Sequence, residues 1–350
     1  MMCASQWVVV ILSSCQSKFC KLSKVWIVEM PINEQIAATI AGLGALAQCD
    51  HDISSLTTYK VGGRAAIFVR AETMQDLLLV ARVVCETGVP MIPLGRGSNL
   101  LISDHGFAGL ILQLGELAQQ ISLPHAEARD EMHEGVEVAC SVTAGSAVAL
   151  PVLARRTASV GIRGFEWAVG VPGSLGGAIR MNAGGHGSDI SESLVSAQVL
   201  NFRTGEISTM LTPELGLRFR ASDLDDQQLI ISGTLSLTYG SSQESLQMID
   251  EIVRWRRENQ PGGQNAGSVF VNPVPGEITA GQLIDRCGLR GFRIGSAEVS
   301  MKHANFIQAD VGGSAKDIVS LMRHIQRVVG DTSGYELRSE IRLIGFEKES

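Results

Sequence analysis

With 350 residues, 45% of them apolar and 19% charged, the chain is long enough for two or three packed domains and too apolar to be disordered. A net charge of -7 disfavours a general electrostatic grip on nucleic acid or on an anionic membrane, while leaving room for a local basic site that holds phosphates. The seven cysteines (Cys3, Cys15, Cys20, Cys49, Cys85, Cys140 and Cys287) contain no CxxC pair and no metal-ligand spacing, which predicts free thiols, a cytoplasmic setting and no metal.

The apolar run Trp7 to Leu12 is far shorter than the roughly 20 residues of a membrane span. No basic residue precedes it, and Lys18, Lys21 and Lys24 follow it, the reverse of the order in a secretory signal. Residues 1–29 are therefore expected to be a non-native or disordered extension, with Met30 as the true start. "PINEQIAATIAGLGAL" then reads as an amphipathic helix with Pro31 near its start.

Ala65 to Val69 reads as a buried strand entered through Gly62-Gly63, "MQDLLLVARVVCETG" as a helix stopped by Gly88, and "VPMIPL" as a further strand. The turn "GRGSNLLIS" comes close to a dinucleotide fingerprint and fails, because its third glycine is Leu100 and Leu100 to Ser103 reads as strand. Neither a Rossmann nor a Walker loop is supported. A glycine-serine-asparagine turn remains, with backbone amides and the Ser98 and Asn99 side chains able to hold an anion, or to serve simply as a tight hairpin turn.

"VEVACSVTAG" reads as a strand and "AVALPVLARRTASVG" as a helix started or kinked by Pro151. "AVGVPGSLGGAIRMNAGGHG" is far richer in glycine than the usual frequency of about 7%, a pattern best tolerated where backbone approaches something flat or charged. "LVSAQVLNFRTGEISTM" reads as a hairpin turning at Thr204-Gly205, followed by a strand, "LIISGTLSLTY", and a charged helix, "SLQMIDEIVRWRREN". "QNAGSVFVNP" sets Ser268 after an Ala-Gly pair and against a strand-like run, without the GxSxG elbow of a nucleophilic serine. Two more helices, "AGQLIDRCGL" and "AKDIVSLMRHIQRVVG", and a closing strand, "YELRSEIRLIGF", complete an order of elements that favours an α+β fold over a doubly wound sheet.

Together, "YKVGG", "PLGRGSNLLIS", "GFEWAVGVPGSLGGAIRMNAGGHG", "NAGSVFVNP", "AGQLIDRCGLRGFRIGSAEVSMKHANFI" and "SEIRLIG" resemble, in order, the UDP-N-acetylenolpyruvoylglucosamine reductase family of peptidoglycan precursor synthesis. The resemblance runs from about Leu56 to Phe346. It implies a two-part FAD-binding domain of the vanillyl-alcohol-oxidase type, at 30–113 and at 114–257 with 334–350, and a substrate-binding domain at 258–333. FAD would be held non-covalently. The turn Leu94, Gly95, Arg96, Gly97, Ser98, Asn99 would cradle its pyrophosphate, while Tyr59, Lys60, Val61, Gly62, Gly63 and the loop Val171, Pro172, Gly173, Ser174, Gly176, Gly177, Asn182 would line the flavin. "TLSLTYGSSQESLQMIDEIVRWRREN" leaves little room for the tyrosine-bearing lid of some members, so the chain resembles the short form.

The resemblance also implies the chemistry. NADPH would reduce FAD, hydride would pass from flavin N5 to C3 of the enolpyruvyl group, and Ser268 would give a proton to C2. Arg220, in Phe219-Arg220-Ala221-Ser222, would stabilise the developing enolate, with Glu340 orienting Arg220 and hydrogen-bonding the enolic carboxylate. Arg218 is the neighbour that could be confused with Arg220. Asn272, Arg256, Arg257, Lys302, His303 and Asn305 are candidate contacts to uracil, diphosphate and sugar in a monomeric protein. A flavin oxidase on the same scaffold and a non-catalytic sugar-nucleotide or FAD-binding protein are the competing readings. The presence of Arg220, Ser268 and Glu340 weighs against both.

Overall fold

A computed structural model describes residues 30–124 and 138–346. The expectations for residues 1–29, for the start of "VEVACSVTAG" and for the last four residues lie outside the described residues. The fold is α+β, as expected, with helices packed on separate sheets.

The first layer holds α1 (Ile32–Leu43), β1 (Gln48–Asp52), β2 (Arg64–Ala71), α2 (Met74–Thr87), β3 (Met91–Pro93), β4 (Leu100–Ile102) and β5 (Phe107–Leu114). Its sheet runs β1-β2-β5-β3, with β2, β5 and β3 parallel and β1 antiparallel at the edge. The expected β2-α2-β3 unit is present, but β5 lies between its strands, and the exposed, polar β1 carries too little apolar pattern to be read from sequence. Helix α2 starts at a capping box between Thr73 and Asp76 and stops where Gly88 takes a left-handed φ of 67°, which costs a residue without Cβ almost nothing. Its buried Leu77, Val80, Ala81, Val83 and Val84 pack in one core with Ile67, Val69, Leu110 and Leu112, each large side chain contributing roughly 1.5–3 kcal/mol.

The second layer comprises β6 (Ile121–Ser122), β7 (Ala139–Gly145), α3 (Leu150–Ser159), β8 (Ile162–Arg163), α4 (Leu175–Met181), the short hairpin β9 (Gly184–Gly185) and β10 (Ser188–Asp189), β11 (Leu194–Asn201), β12 (Glu206–Leu211), β13 (Gln228–Tyr239) and α5 (Ser242–Asn259). Its sheet runs β12-β11-β13-β7-β6 and is antiparallel throughout. The β11-β12 hairpin turns at Thr204-Gly205, where the Gly205 amide donates to Asn201 O at 2.7 Å. Helices α3, α4 and α5 cover one core with this sheet, and Ser241 caps α5 through Glu244 N.

The third layer is α6 (Ala280–Arg286), β14 (Arg293–Ile294), β15 (Ala297–Val299), β16 (Ile307–Ala309) and α7 (Ala315–Ser333), after which β17 (Arg342–Ile344) returns to pair in parallel with β4. The chain before β17 was expected to be strand from Tyr335, yet it bridges only at Phe270↔Ser339. Val269 and Val271 donate to different partners, Asn305 O and Arg338 O, so the run is held on two sides and builds no ladder. The α7 N-terminus is tied to the first layer, because Asp104 accepts from Ser314 Oγ, Ala315 N and Lys316 N at 2.8–3.0 Å.

Candidate active site

The return of β17 builds the site. Because β17 pairs with β4, the Asn99 side chain reaches Glu340 O at 3.0 Å and Arg342 N donates to Asn99 O at 3.0 Å. Glu340 N in turn donates to Val269 O at 2.8 Å, which sets Ser268 and Glu340 on adjacent extended segments. The turn before Ser268 is made by Asn265 Oδ1 accepting from Gly267 N at 3.0 Å, with Gly267 at a φ of 74°. Asn305 holds the other side: its side chain accepts from Phe270 N at 3.0 Å and donates to Phe270 O at 2.8 Å.

Arg220 arrives from the second layer. Arg218 and Ala221 exchange backbone hydrogen bonds at 3.0 Å, which forces Arg220 into a left-handed φ of 56°. Arg218 itself turns to Asp223, whereas Arg220 Nε stands 3.3 Å from Glu340 Oε1. The Phe219 ring lies 5.5 Å from the Arg220 guanidinium and adds a cation–π contact. Ser222 Oγ donates to Arg180 O at 2.7 Å, which ties the Arg220 turn to the end of α4. Burial raises the Glu340 carboxyl above its usual 4.5, and Arg220 works in the opposite direction.

Ser268, Arg220 and Glu340 line one cavity of about 590 Å³, within the roughly 300–1,000 Å³ of small-molecule sites. Gly95, Arg96, Gly97, Ser98, Asn99, Val171, Pro172, Gly173, Ser174 and Gly177 line it too, with Arg256. An adjoining cavity of about 270 Å³ is lined by Leu94 and Gly176, and shares Gly95, Arg96, Ser174, Gly177, Arg180 and Arg342 with the first. Arg96 Nε donates to Pro172 O at 3.2 Å and joins the two glycine-rich loops.

The residues present fit a dinucleotide. A Cβ added at Gly185 meets nothing within 4 Å, and one at Gly177 meets only Ser174 Oγ at 3.6 Å, so side chains there would occupy space that bare backbone leaves to a ligand. Gly97 serves differently: its φ is 61° and a Cβ would stand 2.3 Å from Leu56 O, so the turn exists only without one.

The remaining sequence candidates stand outside the lining of both cavities. Tyr59 and Val61 are buried in the third-layer core with Ala266, Val269 and Phe270, Lys60 is exposed, and Gly62 and Gly63 pack so closely on the backbone of Ile102 and Asp104 that an added Cβ would come within 2.5 Å. Asn182 ends α4 and hydrogen-bonds Asp189, Ser191 and Arg218, supporting the Arg220 turn from behind. Asn272 Oδ1 accepts from Ala280 N at 3.1 Å at the start of α6, and Lys302 Nζ donates to Arg257 O at 2.5 Å. His303 Nδ1 accepts from Asn305 N at 3.2 Å, and burial lowers the pKa of its ring.

Sequence reasoning passed over Arg180, Arg342, His186, Trp255 and Gln260, all of which line the larger cavity. Arg342 was findable, since it follows Glu340 by two and a strand places alternate residues on one face. Asp226 holds both arginines: its Oδ1 accepts from Arg180 Nη2 at 3.0 Å, and Arg342 Nη2 donates to both of its carboxylate oxygens, at 2.9 and 3.0 Å.

The comparisons with known proteins converge. Residues 65–210 match the family model described as FAD binding domain, and residues 259–344 match that of UDP-N-acetylenolpyruvoylglucosamine reductase, C-terminal domain. The reductase of Anoxybacillus flavithermus is 36% identical over 296 residues, 84% of this chain and 92% of its own. The chain belongs to the UDP-N-acetylenolpyruvoylglucosamine reductase family. Another member, from Synechocystis sp., is 35% identical over 317 residues, 89% of this chain and 95% of its own. The crystal structure of the reductase from Thermus caldophilus superposes with a TM-score of 0.71 at 30% identity, over 85% of this chain and 98% of that one. Membership in this oxidoreductase family makes the chain an enzyme with an FAD-binding domain. Among the described residues no helix is long and apolar enough to cross a membrane.

Proposed function

We propose that this reductase family member converts UDP-N-acetylglucosamine enolpyruvate to UDP-N-acetylmuramate with NADPH as reductant, as a cytoplasmic monomer in peptidoglycan precursor synthesis. The observation that carries this reading is the meeting of Ser268, Arg220 and Glu340 in one cavity with the glycine-rich loops of the FAD-binding domain. Bound FAD, once reduced, supplies a hydride for C3 of the enolpyruvyl group.

The chain's own residues handle the charge and the proton. As C3 gains hydride, negative charge develops at C2 and spreads into the substrate carboxylate. Arg220, permanently charged and anchored on Phe219, presents a guanidinium to that carboxylate. Glu340, its carboxyl raised by burial, holds a proton more readily than an exposed glutamate and donates it as a hydrogen bond to the same group. Ser268 Oγ–H then delivers its proton to C2, and solvent restores the hydroxyl. No histidine partner is required, because the enolate carbon is basic enough to take a proton from an ordinary hydroxyl. In this reading, Arg256 meets the diphosphate, and the 258–333 segment closes the site.

The test is anaerobic. The FAD-loaded protein is reduced with NADPH and mixed with UDP-N-acetylglucosamine enolpyruvate while flavin absorbance is followed. Reoxidation without oxygen, yielding UDP-N-acetylmuramate, is the expected result. A flavin that stays reduced until air enters would replace this reading with an oxidase.

A further inference from the structure

Trp255 is 46% exposed although it lies on α5, a helix that buries Ile249 and Ile252 in the second-layer core. It lines the larger cavity instead. His186, in the β9–β10 turn, stands edge-to-face with it at 5.1 Å between centroids and 87° between planes. His186 is itself pinned: its φ is 52°, and it packs so closely on Gly170 that an added Cβ there would lie 3.0 Å from the imidazole Cδ2. An edge-to-face pair covers at most one face of the two rings, so open aromatic surface remains toward the cavity.

Arg256 follows immediately. Its Nε donates to Gln260 Oε1 at 2.8 Å, and no carboxylate pairs with it among the described residues. Burial pulls its guanidinium below the usual value, the mark of a desolvated cation lacking a counter-charge. Burying an unpaired guanidinium is costly, and an anion arriving from solvent would relieve that cost. Trp255, His186, Arg256 and Gln260 line the larger cavity, as Ser268 and Glu340 do, and are absent from the adjoining one.

We propose that Trp255, backed by His186, is a stacking platform for the planar heterocyclic base of an incoming nucleotide, the diphosphate of which is the one placed against Arg256 in the function proposed above. This rests on the function proposed above, which brings two such nucleotides, NADPH and the UDP-sugar, to one cavity. Both combine a planar nitrogen ring, a ribose and a diphosphate.

Trp255→Ala and Trp255→Phe are each loaded with FAD and compared with the unaltered protein in the two anaerobic half-reactions, titrating NADPH in the first and UDP-N-acetylglucosamine enolpyruvate in the second. Trp255→Ala should raise the half-saturating concentration of one nucleotide by about 5- to 150-fold, the range of base–aromatic stacking, with the loss in saturation and not in limiting rate. Trp255→Phe should keep most of the affinity. A rise confined to the first half-reaction assigns the platform to the nicotinamide dinucleotide, and a rise confined to the second assigns it to the sugar nucleotide. If the unaltered protein completes both half-reactions and Trp255→Ala shifts neither, or if Phe loses as much as Ala, the platform is wrong and the function stands. If the unaltered protein completes neither, the reading of function falls and this inference with it.

Discussion

Arg220 Nε lies 3.3 Å from Glu340 Oε1, with the two side chains 25% and 20% exposed, so the pair is half-hidden from water and open to the cavity. Its partners come from parts of the chain far apart in sequence: a turn between β12 and β13, and the segment that leads into β17. Neither a surface ion pair nor a sealed one, it can exchange its internal contact for a carboxylate ligand.

Burial is the larger influence on Glu340 and raises its pKa in the folded state above the usual 4.5. A raised acid binds more protons folded than unfolded, so its contribution to stability is greatest below about 4.5 and declines as pH climbs through the folded value. Glu340→Gln, which cannot ionise, should therefore gain stability relative to the unaltered protein across that window. Denaturant unfolding at a series of pH values measures this. A gap between the two proteins that stays constant from pH 4 to pH 8, on the order of the window named, would remove the shift. Arg220→Ala should move the Glu340 titration still higher, because the arginine is what holds it down.

Ser268→Ala should leave reduction of the flavin by NADPH nearly intact and slow reoxidation by the enolpyruvyl substrate by several orders of magnitude, on the order of 10³-fold or more, since it removes only the proton delivered in the second step. Stopped-flow absorbance of each half-reaction separates the two. Equal losses in both would assign Ser268 to binding or folding.

The left-handed backbone of Arg220 gives a separate test. Arg220→Ala and Arg220→Gly both delete the ion pair, but only glycine suits a φ of 56°, so the Gly variant should be the more stable of the two by about 1 kcal/mol. Both should fail in the second half-reaction. Unfolding midpoints that rank Ala above Gly would mean the turn relaxes once the guanidinium is gone.

Gly97 and Gly177 should fail differently. Gly97→Ala places a Cβ 2.3 Å from Leu56 O at a φ of 61°, and should lower the melting temperature through about 1–3 kcal/mol of strain. At Gly177 an added Cβ meets only Ser174 Oγ at 3.6 Å and the position lines the cavity, so Gly177→Val should lose flavin on gel filtration while shifting the melting temperature measured without FAD less than Gly97→Ala does. The ratio of flavin to protein absorbance, read beside the thermal midpoint, distinguishes the two.

Much of this was legible along the chain because it depends on local physics. Capping residues and apolar spacing marked α2, α5 and α7, and the glycine density of 168–187 marked a place where backbone faces a ligand. The six motifs carried the family, and the resemblance attached its chemistry to Ser268, Arg220 and Glu340. What tertiary structure decided is which side chains reach the cavity. Tyr59 lies in a predicted flavin-lining motif yet is buried beneath the Ser268 turn, and Asn305 clamps Phe270 while Arg342, never singled out, lines the cavity. Helix caps and periodicity are set by neighbours a few residues away, so the longer helices and the family were legible along the chain, whereas the polar edge strand β1 and the loss of strand before β17 were not. The site is set by contacts over long separations, such as Asn99 with Glu340 and Arg220 with Glu340, whose register depends on how β17 returns to β4, and only the folded chain decides that.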